Sequence, residues 1–236
     1  MFQLFSTPDW FAVWDLLFSS IGFVVALLIA AYSWRLYSMQ RMENKFAYFS
    51  VAFVLIALSF ASKILTGSVL AYRPLRDVTA VVLAPLAGPS LVFSHLLYRF
   101  AFFFQMVTML GGWLLIFFTS QKSRDRLHTF HELTQIGLFI YLVTLIAIVS
   151  NFRYEVFFLT CTVLLGLIVL HYYKNYTQRG RSRNAWMVTA SFFLMLLGNI
   201  ILTFVFLVPT VYVLGEFLIL LGFLSLLYKY HAVTRR

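Results

Sequence analysis

The sequence has little charge and almost no cysteine, and each shortage excludes a class of protein. Only 11% of its 236 residues are charged, whereas a soluble domain carries about 25%. With 62% hydrophobic residues, the chain cannot cover itself with a water-facing surface, so most of it must face lipid. The single cysteine, Cys161, excludes an intrachain disulfide, and the apolar run around it favours a packing role.

Seven apolar runs are long enough to cross a membrane as helices, which takes about 20 residues each. The five prolines fall at the ends of these runs or between them, where proline costs least. The sequence therefore predicts an all-α transmembrane bundle of seven helices, forming one domain over 1–236 with no soluble domain. The predicted spans are 10–34, 46–71, 90–119, 133–150, 155–173, 185–207 and 210–230. The first run lacks the features of a cleavable signal peptide, so we expect it to remain as a span.

Lysine and arginine are distributed unequally between the two sides of the predicted bundle. Thirteen lie in the first, third and fifth connections and in the C-terminal tail, against three on the opposite side, Arg73, Arg76 and Arg153. Because cytoplasmic connections collect basic residues, this predicts an N-terminus outside the cell membrane and a C-terminus in the cytoplasm. The net charge of +10 then reflects topology and contact with the lipid bilayer, not nucleic acid.

Four charged residues, one histidine and one asparagine lie deep inside the predicted spans, where a charge at the bilayer centre costs at least about 3 kcal/mol. At 1.5 Å per residue, all six lie about 9 to 15 Å from the outer ends of their spans, in one layer. These residues are Asp15, Lys63, His95, Arg99, Asn199 and Glu216. Further polar residues continue the same helix faces, namely Ser59, Ser62, Thr66, Tyr98, Gln105 and Tyr212.

Three interpretations of this polar layer remain open. It is a pocket that binds a small polar ligand, an ion or a proton from outside, or a buried salt-bridge network that only fixes helix register. In the third interpretation, Lys63 extends to the headgroups and the acids lie in the headgroup layer. The two acids and two bases cancel, which predicts that Lys63 and Arg99 pair with Asp15 and Glu216, without indicating which acid pairs with Lys63.

The sequence lacks the motifs of intramembrane enzymes. It contains no Gly-x-Ser-Gly with a paired histidine, no paired aspartates for membrane proteolysis and no His-Glu-x-x-His. His128 and His131 lack further ligands beside them, so they do not predict a metal site. We therefore expect no catalytic residues, no metal and no cofactor.

Two regions of the sequence match each other at one constant offset, the separation between Arg35 and Lys174. This match relates spans one and two to spans five and six as a parallel repeat, although apolar helices also match by chance, and both explanations remain open. The first region contains Arg35-x-Tyr37, Phe53, Leu55 and Leu58, and the second contains Lys174-x-Tyr176, Phe192, Leu194 and Leu197.

Two segments carry a resemblance to known proteins. The run YSWRLY at 32–37, followed by YFSVAF at 48–53, resembles the first cytoplasmic turn of uncharacterised prokaryotic, mostly archaeal, seven-helix membrane proteins. The runs VYVLGEF at 211–217 and LLGF at 220–223 resemble their last span. Some of these bundles are similar to the input modules of membrane sensor kinases, so the resemblance implies a seven-helix fold and a sensing role.

The predicted function is that of a membrane sensor or receptor-like protein. Its polar outer-half pocket would bind a small ligand or ion, and its signal would pass to a cytoplasmic or membrane partner. The inner halves of the spans contain few polar residues, which favours sensing over transport. The alternatives are a transporter of a small solute or ion, and a structural or assembly subunit of a membrane complex.

Overall fold

The computed structural model describes residues 7–39, 44–72, 93–121, 154–178 and 182–234. Within these ranges the chain is helical apart from short turns, and it contains no strand. Six α-helices are present in these ranges, and each is long and apolar enough to cross a membrane. The protein is therefore an all-helical, multi-pass membrane protein. Its helices are α1 (Ala12–Met39), α2 (Asn44–Ala71), α3 (Phe93–Gln121), α4 (Tyr154–Gln178), α5 (Arg183–Thr203) and α6 (Val211–Thr234).

Six of the seven predicted spans correspond to these helices, with shifted ends. The predicted span 133–150 lies outside the described residues. The predicted span 185–207 is too long, because α5 ends at Thr203 and a tight turn follows, in which the Phe204 N–H bonds the carbonyl of Ile201. Pro209 lies just beyond this turn, and proline lacks the N–H that a continued helix requires.

The described helices form a closed ring in chain order. Each packs against its two neighbours in sequence, and α6 also packs against α1. Asp15 contacts Tyr212 near the starts of α1 and α6, and Tyr32 contacts His231 near their ends, so these two helices are parallel. We call the end at which α1, α3, α4 and α6 begin the top of the bundle, and the other end the bottom. The helices α2 and α5 run from bottom to top.

Glycines allow neighbouring helices to approach closely. A Cβ added to Gly112 on α3 would lie 2.9 Å from the carbonyl oxygen of Ala52 on α2. A Cβ added to Gly222 on α6 would lie 2.8 Å from the carbonyl oxygen of Ser191 on α5. Helices in lipid associate through such close packing, because lipid removes the hydrophobic drive between them.

The outer surface of the ring is apolar and its interior is aromatic. Large side chains such as Val13, Leu65 and Phe100 are exposed, as expected for helices that face lipid. Among the described residues, the six largest fully buried side chains are all aromatic and include Trp113, Phe192 and Phe223. Near the top, polar residues of three helices interrupt this apolar interior.

Candidate functional site

A cluster of four polar side chains lies near the top of the bundle, where α1, α2 and α6 meet. The ammonium group of Lys63 donates hydrogen bonds to Oδ1 of Asp15 at 2.8 Å, Oε1 of Glu216 at 2.8 Å and the hydroxyl oxygen of Tyr212 at 2.9 Å. Each of the four residues is at most 9% exposed. We call these residues the charged cluster.

The hydroxyl of Tyr212 connects the two acids of the charged cluster. Its oxygen lies 2.9 Å from Oδ1 of Asp15 and 3.1 Å from Oε1 of Glu216. A phenol has one hydrogen, so it donates to one carboxylate at a time, and both carboxylates otherwise share the three donors of one ammonium. The Lys63 ammonium also lies 5.5 Å from the centre of the Tyr212 ring, a favourable cation–π distance.

The charges of this cluster do not balance. With both acids ionised, the described groups carry two negative charges and one positive charge. An uncompensated charge in a low-dielectric interior is costly, and such residues in membrane proteins face partners or water. One more positive charge would therefore bring the described cluster to neutrality.

A small cavity lies beside the charged cluster. Its volume is about 30 Å³, enough for about two water molecules. Polar side chains from four helices line it together with apolar and aromatic ones. The polar lining consists of Lys63, Gln105, Asn199, Tyr212 and Glu216. Trp113 lines the same cavity, and its buried Nε1–H has no hydrogen-bond partner among the described residues, which is a donor that a water in the cavity would satisfy.

An aromatic layer lies below this cavity. The ring of Trp113 is 6.4 Å from that of Phe192 and 6.0 Å from that of Phe223, and Phe223 is 5.6 Å from Phe60. A second cavity, of about 180 Å³, lies on the other side of the layer, lined by Phe192 and by residues near the bottom of the bundle such as Lys229. The two cavities are thus separated by packed rings.

The structure brings together Asp15, Lys63 and Glu216, and Lys63 bonds both acids rather than one. Asn199 is buried at the cavity, and its amide donates to the carbonyl of Met195 on its own helix. The side chains of His95 and Tyr98 lie outside the described set.

Arg99 differs from its predicted place in the buried network, because its side chain is exposed. The buried residues described on α3 begin at Ala101, so Arg99 lies just before them. Its long, flexible stem allows the guanidinium to remain at the surface.

The supporting residues on α2 make hydrogen bonds to backbone carbonyls and so have a structural role. The hydroxyl of Ser59 bonds the carbonyl of Gln105, and the hydroxyl of Ser62 bonds the carbonyl of Ala101, so both connect α2 to the backbone of α3. Thr66 bonds the carbonyl of Ser62 on its own helix.

Three features of the site go beyond the prediction from the sequence. Tyr212 is predicted only to support the site, yet it contacts both acids; its i, i+4 relation to Glu216 is the available signal. Tyr154 donates to Oε1 of Gln105 at 3.2 Å, a contact between α4 and α3 that no periodicity within one helix indicates. Lys229 counts among the basic residues of the predicted cytoplasmic end, yet it is buried beside the bottom cavity.

The assignment of a function therefore depends on the charged cluster and its cavity. Comparison with protein-family models, with curated proteins and with solved structures gives no match for this chain.

Proposed function

We propose that the protein is a membrane sensor that detects a proton or a small monovalent cation at the charged cluster. The observation that carries this proposal is the pairing of two buried carboxylates with one ammonium, beside a cavity that holds about two waters. The ligand, the signalling role and the existence of a signalling partner are all part of the proposal.

The charge count supports a positively charged ligand. The titratable groups that the structure describes around the cluster are Asp15 on α1, Lys63 on α2, and Tyr212 and Glu216 on α6. From the neighbouring helices, Arg99 of α3 is exposed, and Tyr154 of α4 bonds Gln105. One added positive charge makes the described cluster neutral, whereas an anion would increase the imbalance.

The volume of the cavity supports a small ligand. About 30 Å³ is too little for a sugar, an amino acid or another metabolite, but a proton needs no space and a small cation can replace a water. The general expectation of a small polar ligand is thereby narrowed to a proton or a monovalent cation in this conformation.

The aromatic layer favours sensing over transport, because a transported ion needs a polar path to the opposite face. Trp113, Phe192 and Phe223 pack across the space below the charged cluster, and each is at most 1% exposed. The bottom cavity favours the second candidate, a transporter, because it lies beyond that layer and would receive an ion if the rings moved apart. A structural subunit is the third candidate.

We also propose that the chain spans the membrane seven times, with the top outside. Phe102 contacts Tyr154 near the starts of α3 and α4, so these helices are parallel, and the chain must travel from bottom to top between Gln121 and Tyr154. The apolar run 133–150 is the segment of suitable length to do so. The excess of lysine and arginine at the bottom supports a cytoplasmic bottom in a prokaryotic plasma membrane.

A stability measurement across pH tests the proposal. Glu216→Gln keeps the shape of the side chain and removes one negative charge, so it imitates the cluster with its proton bound. If the ligand is a proton, the melting temperature of the wild-type protein should depend on pH over the range in which the protein stays folded, because the bound and unbound forms of the cluster differ by one charge.

The variant and its control separate the possible outcomes. Glu216→Gln should melt at the same temperature across this range, while Thr108→Val, which removes a buried hydroxyl that bonds its own helix, should keep the wild-type response. A rise with sodium or lithium chloride relative to choline chloride would identify a cation instead of a proton. If wild type and Glu216→Gln respond identically, the cluster is structural and the proposal is wrong. If protons or cations enter proteoliposomes faster than they enter protein-free liposomes, the protein is a transporter and the sensor proposal is wrong.

A further inference from the structure

The second half of the described chain repeats the helix order of the first half. The helices α1, α2 and α3 are followed by α4, α5 and α6, and the middle helix of each set, α2 or α5, runs from bottom to top. The sequence match between α1–α2 and α4–α5 has one displacement, that from Arg35 to Lys174. We call this displacement the first offset.

An aromatic pair occupies the same place in both halves. The rings of Trp34 and Tyr37 near the end of α1 are 5.4 Å apart with an angle of 42° between their planes. The rings of Tyr173 and Tyr176 near the end of α4 are 6.4 Å apart with an angle of 39°. The first offset relates these two pairs, so corresponding side chains make corresponding contacts.

The contact between α2 and α3 is repeated between α5 and α6. Gly112 of α3 packs against Ala52 and Ile56, and a Cβ at Gly112 would lie 2.6 Å from Ile56. Gly222 of α6 packs in the same way, because its nearest neighbours are Ser191 and Met195. The first offset relates these two residues to Ala52 and Ile56.

The two glycines define a second, smaller offset, the displacement from Gly112 to Gly222. It is smaller because fewer residues separate Ser191 from Gly222 than separate Ala52 from Gly112. The first offset thus relates α1 and α2 to α4 and α5, and the second relates α3 to α6.

The same two offsets hold closer to the top of the bundle. The hydroxyl of Ser59 bonds the carbonyl of Gln105, and these residues correspond to Gly198 and Gly215. A Cβ added to Gly198 would lie 2.7 Å from the carbonyl oxygen of Gly215. The register between the helices is therefore repeated over about two turns within the one chain.

The two junctions between the halves also correspond. At one junction, Asp15 of α1 contacts Tyr212 of α6. The corresponding residues, Tyr154 of α4 and Phe102 of α3, contact each other at the other junction, with ring centroids 4.6 Å apart. A pseudo-two-fold axis therefore passes through the middle of the ring, parallel to the helices.

The small cavity beside the charged cluster lies on this axis, because corresponding residues line it from both halves. They are Phe60 with Asn199, Lys63 with Leu202, and Met109 with Ile219. We infer that α1–α3 and α4–α6 are two copies of one three-helix unit, and that the cavity is a binding site between the copies. The first copy supplies both the ammonium of Lys63 and the carboxylate of Asp15. Tyr154 and Leu202 occupy, in the second copy, the positions of Asp15 and Lys63.

This arrangement deepens the proposed function. Membrane transporters built from repeats bind their ions and substrates at the interface between the repeats, because relative movement of the repeats changes that interface. A proton or cation at the charged cluster would therefore bias how the two units sit against each other. Only the identity of this ligand rests on the proposed function; the duplication rests on the contacts above.

Transplanting the lysine–aspartate pair into the second unit tests the duplication. The variants Leu202→Lys and Tyr154→Asp are made singly and together, and their melting temperatures are measured at one pH without added ligand. Tyr154→Asp alone should lower the melting temperature by roughly 10 °C, because it adds an unpaired buried charge. Leu202→Lys alone should lower it less, because position 202 lines the same cavity as Glu216. If the units are equivalent, the double variant should melt at least about 5 °C above the value that the two single effects predict by addition.

A control pair shifts the acid to a position that does not correspond to Asp15. Leu165 is buried on the same helix, about three turns below Tyr154, so Leu165→Asp with Leu202→Lys should show no such coupling. The cycle subtracts any contact of the new lysine with Glu216, since that contact is also present in the single variant. Where a single variant does not melt cooperatively, the yield of monodisperse protein ranks the variants in its place.

The inference is overturned if Leu165→Asp couples to Leu202→Lys as strongly as Tyr154→Asp does, or if neither substitution couples to it. This result is independent of the pH experiment on Glu216→Gln. If the substitutions couple but the melting temperature does not respond to pH, the duplication is supported and proton sensing is not. If the melting temperature responds to pH but the substitutions do not couple, proton sensing is supported and the duplication is not.

Discussion

The two junctions between the three-helix units are built from corresponding positions, yet they differ in chemistry. The junction of α1 with α6 is held by Asp15, Lys63 and Glu216 around Tyr212, whereas the junction of α3 with α4 is held by the rings of Phe102 and Tyr154. Packed rings depend on contact area and are insensitive to charge. A cluster of charges depends on its balance, so we expect the first junction, whose described contacts carry charge, to respond to an ion.

The difference also concerns how many helices one group holds. Lys63 on α2 bonds acids on α1 and α6, so one ammonium connects three helices and both units. At the aromatic junction, the described ring contact of Tyr154 with Phe102 joins α3 and α4. A change in the charge of the polar junction should therefore affect the whole bundle, whereas a change in the aromatic junction should remain local.

The largest expected effect breaks the polar junction. Lys63→Met leaves two buried acids without their ammonium and should destabilise the protein by about 3–5 kcal/mol, measured by denaturation in detergent or nanodiscs. Removing both acids as well, in the triple variant with Asp15→Leu and Glu216→Leu, should recover most of this loss. Lys174→Met, at an exposed position, is the control and should have little effect. If the triple variant is as unstable as the single variant, the charges are not coupled.

A smaller effect compares one and the same substitution at both junctions. Tyr212→Phe removes a hydroxyl that contacts two acids and the ammonium, and it should cost about 1.5–3 kcal/mol, the range for hydrogen bonds to charged groups. Tyr154→Phe removes a hydrogen bond to the neutral Gln105 and should cost only about 0.5–1.5 kcal/mol. Equal costs in the same unfolding assay would mean that the polar junction is not held by its charges.

The smallest effect concerns the close helix contacts at Gly112 and Gly222, one in each unit. Unlike the two junctions, these two contacts should respond equally to the same substitution. Gly112→Ala and Gly222→Ala each place a methyl group within 2.9 Å of a backbone carbonyl of the adjacent helix. This overpacking costs about 1–3 kcal/mol, and the better helix propensity of alanine offsets about 1 kcal/mol of it. Both variants should therefore lose about 1 kcal/mol in thermal unfolding. A large loss in only one of them would argue against equivalent units.

Hydrophobicity and depth are sufficient to predict the class of the fold and the centre of the site. Long apolar runs specify membrane helices, and the cost of a charge in lipid predicts that Asp15, Lys63 and Glu216 share an interior. Periodicity within one helix does not indicate which neighbouring helix a face contacts. It therefore cannot predict that Lys63 bonds both Asp15 and Glu216. Equal numbers of acids and bases suggest that Arg99 joins the network, but a flexible arginine near a helix end can reach the surface.

The most direct test measures both junctions while the charge of the cluster changes. In a Cys161→Ala background, spin labels at the exposed positions Leu17 and Leu214 report across the polar junction, and labels at Phe104 and Leu159 report across the aromatic junction. Between low and high pH, the Leu17–Leu214 distance distribution should change, and the Phe104–Leu159 distribution should not. Glu216→Gln should abolish the change. Equal changes at both junctions, or a change that persists in Glu216→Gln, would contradict the account.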